Sequence, residues 1–162
     1  CLVGSEMCIR DRYTACFRET NDSIFLNFAK DIANMIMDRV KTEDAIPYWD
    51  YDAPVTKETP RDVSAASVTA SAMIELSTMV PDGQKYLDYA EKILKSLSSD
   101  AYLAKVGDNQ GFILMHSVGS LPNGSEIDTP LNYADYYYLE ALKRFMELKK
   151  LKVENGELRV IQ

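Results

Sequence analysis

The sequence is short of nearly everything that marks a redox, metal or nucleotide protein. Its three cysteines, Cys1, Cys8 and Cys16, all stand at the start, and none forms a CxxC pair. The usual zinc and redox spacings and a disulfide framework are therefore excluded. Cys16, between Ala15 and Phe17, reads as a small buried hydrophobe and not as a nucleophile. GxGxxG, the phosphate-binding loop, HExxH and the GxSxG elbow are all missing. No metal or nucleotide cofactor is expected on that basis. No apolar run approaches the roughly 20 residues that cross a bilayer. Cys1-Leu2-Val3-Gly4 has no basic segment before it and does not read as a signal peptide. Basic residues are in the minority, 18 Lys and Arg against 25 Asp and Glu, for a formal net charge of -7. A polyphosphate backbone would be repelled on average, so neither nucleic acid nor membrane is an expected partner. The chain opens on Cys1 and not on Met. The native start is expected to lie upstream, which leaves the compartment open.

What is present suits a globular helical domain. The chain has 162 residues, 46% of them apolar and 27% charged, enough for one domain with a core. Residues 1–12 show neither a helical nor a strand period and read as a tail foreign to the fold, of the kind a sequencing adaptor would encode, or as a frayed natural terminus; either way they stand outside the fold argument. Tyr13 to Thr20 reads as the end of a helix. Asn21, Asp22 and Ser23 supply turn and capping chemistry. A helix follows to about Lys41, with Phe25, Phe28, Ile32, Met35, Ile36 and Val40 at steps of three and four. A proline-marked loop occupies 42–63. Ser64 to Met79 is a helix of small residues suited to close neighbours on several faces. Pro81-Asp82-Gly83 is a turn, and Gln84 to Ser98 a second amphipathic helix. A short helix is expected over Asp100 to Val106, a long loop over 107–130, and a last helix from Leu131 to Lys150. Residues 151–162 read as a strand-like or frayed tail.

Two segments repeat. Phe25-Leu26-Asn27-Phe28-Ala29-Lys30-Asp31-Ile32 matches Tyr86-Leu87-Asp88-Tyr89-Ala90-Glu91-Lys92-Ile93, and Tyr138-Leu139-Glu140-Ala141 is a fainter copy. Repeats of this kind signal stacked helical hairpins. Helix, long loop, small-residue helix, tight turn and helix fit an all-α ring of helix pairs. The tight turns belong on one rim and the long loops on the other. Five helices do not close such a ring, so residues 13–150 are expected to be part of a larger domain.

The chemistry lies in the loops. Tyr48-Trp49-Asp50-Tyr51-Asp52 joins aromatics that can stack on a sugar to paired carboxylates, which suit general acid and base work. The plainer alternative has Asp50 and Asp52 capping helix ends and Trp49 packed in the core. Asp62 suits the cap of the following helix, and Arg61 suits neutralising a nearby acid. The only histidine, His116, precedes Ser117, Val118, Gly119 and Ser120. Adjacency in sequence makes no catalytic triad. Ser117 and Ser120, with backbone amides, still suit a hydroxylated or anionic ligand. Asp128 and Asp135 have capping or core pairing as their plain reading.

Four strings carry a more specific signal. They are Ile46-Pro47-Tyr48-Trp49-Asp50-Tyr51-Asp52-Ala53-Pro54, Pro60-Arg61-Asp62-Val63-Ser64-Ala65-Ala66, His116-Ser117-Val118-Gly119, and the run from Gly124 through Asp128-Thr129-Pro130 to Tyr137. In this order they resemble the unsaturated glucuronyl hydrolases of glycoside hydrolase family 88, across nearly all of residues 13–148. The resemblance implies a partial (α/α)6 barrel. It implies a partner too, an oligosaccharide ending in a 4,5-unsaturated uronic acid left by a polysaccharide lyase. Its reaction would be hydration of a vinyl ether, with an aspartic acid as proton donor and no metal. The family's two catalytic aspartates belong to its amino-terminal half, and no match to their motifs occurs here. The resemblance therefore assigns no catalytic residue to this chain. It places His116, Ser117 and Ser120 near the sugar beyond the cleaved bond, with Trp49 and Asp50 as further binding candidates. The familiar loop carries a basic residue at or before the position of Pro122; here Leu121 stands there. Two alternatives remain: an unsaturated rhamnogalacturonyl hydrolase of the same fold, and a helical-repeat interaction module without catalysis.

Overall fold

The computed structural model describes residues 3–154. Among them are five α-helices: α1 (Val3–Thr20), α2 (Ser23–Arg39), α3 (Val63–Ser77), α4 (Gln84–Leu97) and α5 (Asn132–Glu154). Two short strands, β1 (Ser117–Ser120) and β2 (Ser125–Thr129), form an antiparallel hairpin. The helices make two layers. α1, α3 and α5 lie side by side with α3 in the middle, while α2 backs α1 and α4 backs α3.

α3 explains this arrangement. Every residue from Val63 to Ile74 is buried, and most are Ala, Ser or Thr. Small side chains let three helices approach one axis closely, and the buried hydroxyls find partners locally. Ser67 Oγ donates to the Val63 carbonyl at 2.6 Å and Thr69 Oγ1 to that of Ala65 at 2.8 Å. The bulk of the core comes from the backing helices, with Ile36 on α2 and Tyr86, Ile93 and Leu97 on α4 fully buried. The repeat has its structural counterpart here. Its two clear copies fall on the backing helices α2 and α4, where Ala29 and Ala90 are both buried to 0% exposure. The fainter copy at Tyr138–Ala141 lies on α5, in the other layer, and is not equivalent.

The layers fix the loop geometry. The α1–α2 and α3–α4 connections are tight, and both lie at the carboxyl ends of α1 and α3, where Arg18 and Thr14 reach Glu75. Arg144 of α5 pairs with Glu75 at 3.1 Å and with Glu140 at 3.4 Å, and donates to the Ser71 carbonyl at 3.0 Å. Ser71 Oγ donates to Glu140 at 2.5 Å. At the opposite ends the two long connections meet, as the sequence led one to expect. The Val63 amide, at the start of α3, donates to the His116 carbonyl at 3.2 Å, and Tyr102 donates to Asp44 at 2.6 Å.

Residues 3–12 are helical and belong to α1. Three expectations are corrected. Asp100 to Val106 is not helical; seven residues are too few for an isolated helix. There the Met115 amide donates to the Tyr102 carbonyl at 2.9 Å and the Ala104 amide to that of Ile113 at 2.8 Å, tying the segment to the strand-like run opposite. The loop over 107–130 contains the β1–β2 hairpin, and α5 runs on to Glu154, where a tail was expected from 151. Residues 155–162 of that tail lie outside the described residues.

Candidate functional site

The α2–α3 loop is organised around Asp44. Its carboxylate accepts from the Tyr102 hydroxyl at 2.6 Å and from the Ile46 amide at 3.1 Å, and pairs with Arg61 at 3.4 Å. Burial opposes its charge, but these hydrogen bonds and the Arg61 cation outweigh burial and hold the carboxyl below its usual range. Its backbone carbonyl accepts from Ser96 Oγ of α4 at 2.7 Å. Arg61 also donates to the Ile46 carbonyl and lies 4.4 Å over the Tyr48 ring. Burial and the Asp44 carboxylate push the Tyr102 phenol well above its ordinary value, so it serves as a standing donor. One acid thus joins both long loops to α4.

A second acid joins the loops to α3. Asp62 is 2% exposed and caps that helix. Its Oδ1 accepts from the Ser64 amide at 3.0 Å, the Ser64 hydroxyl at 2.6 Å and the Ala65 amide at 3.4 Å. It also accepts from the Val118 amide of β1 at 3.3 Å. Burial is the strongest influence on this carboxyl and raises its pKa against those four donors.

The hairpin that presents His116 is irregular. Ser117 pairs with Thr129 and Val118 with Ile127, which leaves Asp128 as an extra residue in β2. Such a bulge redirects a side chain. Asp128 has φ 51° and His116 φ 67°, both in the left-handed region that ordinary residues avoid. The result is a His116 Nδ1 to Asp128 Oδ1 distance of 2.5 Å. The His116 ring meets Tyr102 edge-on, with centroids 6.3 Å apart and planes at 82°. Gly119 lies close against the Glu126 side chain, which a Cβ at that position would displace.

Two clefts open at this rim. One, of about 520 Å³, is lined by residues 57–61 with Tyr102, His116, Leu121, Ile127 and Asp128. The other, of about 670 Å³, runs from Arg39 along the α2–α3 loop and includes Asp44, Tyr48, Asp50 and Tyr51. Arg61 lines both. The candidates named from sequence are therefore split. His116 lines the smaller cleft and Asp50 the larger. Trp49 is half-buried, lines neither, and donates its amide to the Pro60 carbonyl at 3.1 Å. Asp50 accepts from the Asp52 amide at 2.7 Å, and Asp52 pairs with Arg39 at 2.9 Å, so neither acid caps a helix. Ser117 is fully buried, with its hydroxyl facing no hydrogen-bond partner, and does not line either cleft. Ser120 is half-exposed and accepts from Asn123 at 2.8 Å. The expected roles of Asp62 as cap and Arg61 as neutraliser hold. Asp44 and Tyr102 were not singled out from sequence; Tyr102 stood in the expected short helix, and nothing local marks either residue.

Among the described residues no cluster of three or more His, Cys, Asp or Glu is placed to hold a metal, and no helix is long and apolar enough to cross a membrane.

Alternating facing and backing helices, with long loops gathered on one rim, are part of an (α/α)6 barrel, the fold of the solved structures this chain superposes on. No protein-family model matches the chain. Individual proteins do. An unsaturated glucuronyl hydrolase of Formosa agariphila is 43% identical over 137 residues, covering 84% of this chain and 34% of that protein. The enzyme of the same name from Bacillus sp. strain GL1 is 31% identical over 131 residues, covering 78% and 34%. An unsaturated glucuronyl hydrolase described as specific for heparin superposes with a TM-score of 0.86 at 56% identity, over 90% of this chain and 39% of that one. The chain is thus a homologue of the unsaturated glucuronyl hydrolases over most of its length. It spans about a third of the length of the curated relatives it matches.

Proposed function

We propose that this chain is part of a glycoside hydrolase that removes a terminal 4,5-unsaturated uronic acid from oligosaccharides left by polysaccharide lyases. The observation that carries the reading is the convergence of both long loops on the cleft beside His116, in a chain whose relatives share that name. One solved relative, from Streptococcus agalactiae, is a variant complexed with dGlcA-GalNAc6S. Another is recorded with dGlcA-Glc-Rha-Glc.

The reaction is a hydration. A carboxylic acid protonates the C4 carbon of the vinyl ether, water adds at C5, and the proton lost by that water returns to the acid. The hemiketal then opens to a C5 ketone, and the hemiacetal this leaves at C1 collapses to an aldehyde, breaking the bond to the neighbouring sugar, which departs with its hydroxyl restored. Such a donor must be protonated near neutral pH, which needs burial or a nearby negative charge. No acid of this chain is assigned that task. Asp62 is buried and raised, but its Oδ1 is committed to α3 and β1. Asp44 is held ionised by Tyr102 and Arg61. This chain instead supplies a wall, with His116 as its ligand contact in the smaller cleft and Asp50 in the separate, larger one.

The test is loss of the ultraviolet absorbance of the unsaturated ring. Lyase-generated disaccharides of heparin, chondroitin and rhamnogalacturonan are offered to a polypeptide restored to the full length of the relatives. Consumption of a glycosaminoglycan disaccharide is expected, with heparin tried first because the 56% identical relative is described as specific for it. Consumption of the rhamnogalacturonan product alone would transfer the activity to the alternative hydrolase. No consumption of any would leave an interaction module. The 162-residue chain by itself is expected to turn over none of them.

A further inference from the structure

We infer that Asp128 is a positioning residue for His116, holding its imidazole in the tautomer that carries hydrogen on Nδ1 and so presenting Nε2 to the cleft as an acceptor for a sugar hydroxyl. The ligand class rests on the function proposed above; the tautomer does not.

Three observations carry it. The first is the contact itself, Nδ1 to Asp128 Oδ1 at 2.5 Å. A carboxylate only accepts, so the ring nitrogen facing it must be the one bearing hydrogen, and the other then carries the lone pair. The second is how much backbone irregularity goes into making that contact. Asp128 is the extra residue of a bulge, both partners sit at positive φ, and the His116 carbonyl is fixed by the Val63 amide at the head of a largely buried helix. A plain hairpin register would send Asp128 elsewhere. Irregularity that orients one side chain on another is a sign of use, and it lies beside a cleft. The third is steric. Tyr102, locked by Asp44, meets the ring edge-on and limits its rotation. With Nδ1 engaged and the ring held, Nε2 is the nitrogen left for the cleft whose wall His116 shares with Tyr102, Leu121 and Asp128.

His116 is the only histidine of the chain, so its ring nitrogens can be read without assignment ambiguity. The experiment is a long-range proton–nitrogen NMR spectrum of the 15N-labelled chain in alkaline buffer, where imidazole is neutral. The expected result is a pyrrole-type Nδ1 and a pyridine-type Nε2. In Asp128→Ala the ring should revert toward the Nε2–H form that free histidine prefers. Tyr102→Phe, which keeps the ring edge and loses only the tie to Asp44, should retain the Nδ1–H form. A purely structural Asp128 would change stability without moving the tautomer. An Nε2–H tautomer in the parent, or an unchanged tautomer in Asp128→Ala, overturns the inference. Adding a heparin-derived unsaturated disaccharide then separates the two claims. A shift confined to Nε2 supports the acceptor role. A correct tautomer with no shift on adding disaccharide leaves the positioning of the ring intact and refutes His116 as the sugar contact.

Discussion

Asp62 offers the sharpest test of how this rim is held together. The residue is 2% exposed, and one of its oxygens receives four donors from two different elements. Asp62→Ala removes a helix cap, typically worth about 1 kcal/mol. It also strands the buried Val118 amide, at roughly 1–3 kcal/mol for an unsatisfied group. Losing the desolvation cost of an unpaired carboxylate offsets part of this, so the net destabilisation should be about 2–4 kcal/mol. For a chain of this size that is roughly 5–15 °C in melting temperature. Asp62→Asn keeps an acceptor in the same place. It gives up about 0.3–1 kcal/mol of charge at a helix amino end and is relieved of burying that charge, so it should lie within about 1 kcal/mol of the parent. The pH dependence follows from the raised pKa. A folded-state pKa above the unfolded one means the folded chain holds the proton more tightly, so this group's contribution is present at low pH. It is lost as pH rises through the folded pKa. The Asn variant should therefore gain on the parent as pH rises. Differential scanning calorimetry across pH and hydrogen exchange at Val118 are the assays. Equal melting temperatures for the Ala and Asn variants would refute the reasoning, as would a Val118 amide equally protected in both.

Other tests follow from the same structure. Tyr102→Phe removes a hydrogen bond to a charged but partly exposed partner and should cost about 1–2 kcal/mol in urea denaturation. In the parent, the depressed Asp44 pKa contributes stability above the unfolded value of about 3.9, lost as pH falls through the folded value. Gly83→Ala and Gly119→Ala form a contrasting pair. A Cβ at Gly83 would overlap the backbone of Ser77, which cannot yield, and should cost about 1–3 kcal/mol. A Cβ at Gly119 meets the Glu126 side chain, whose carboxylate can swing away while its Cβ, at 2.9 Å, must shift slightly, so circular dichroism melts should show the smaller loss there. Arg144→Met leaves Glu75, 10% exposed at its side chain, with fewer donors and should lower stability by about 1–2 kcal/mol, an effect that Glu75→Gln in the same chain should partly reverse.

Much of the fold was legible in local pattern. The three- and four-residue steps of α2 and α4, the capping acids Asp22 and Asp62, and the small-residue run of α3 are all properties of neighbours in sequence. Periodicity and capping act within a turn or two, so they can be read without coordinates. The repeat between α2 and α4 was legible for the same reason, and it indicated stacked hairpins before any contact was known. Local signal misled where a segment's hydrogen bonds go to distant partners. Asp100–Val106 gives its backbone to Ile113 and Met115, and the hairpin strands, four and five residues long, carry too short an alternation to stand out.

The site divides along the same line. The four strings identified the homologues, and residue type alone made His116 a candidate and Arg61 a neutraliser. Tertiary structure decided which residues stand together. Asp44 reaches Tyr102 and Arg61 across long sequence separations, and His116 meets an Asp128 turned toward it by one extra residue in a strand. It also placed Ser117 in the core and set Asp50 in a separate cleft from His116. Such pairings depend on how two loops are brought together by the helices beneath them, and no window of sequence contains both sides of that contact.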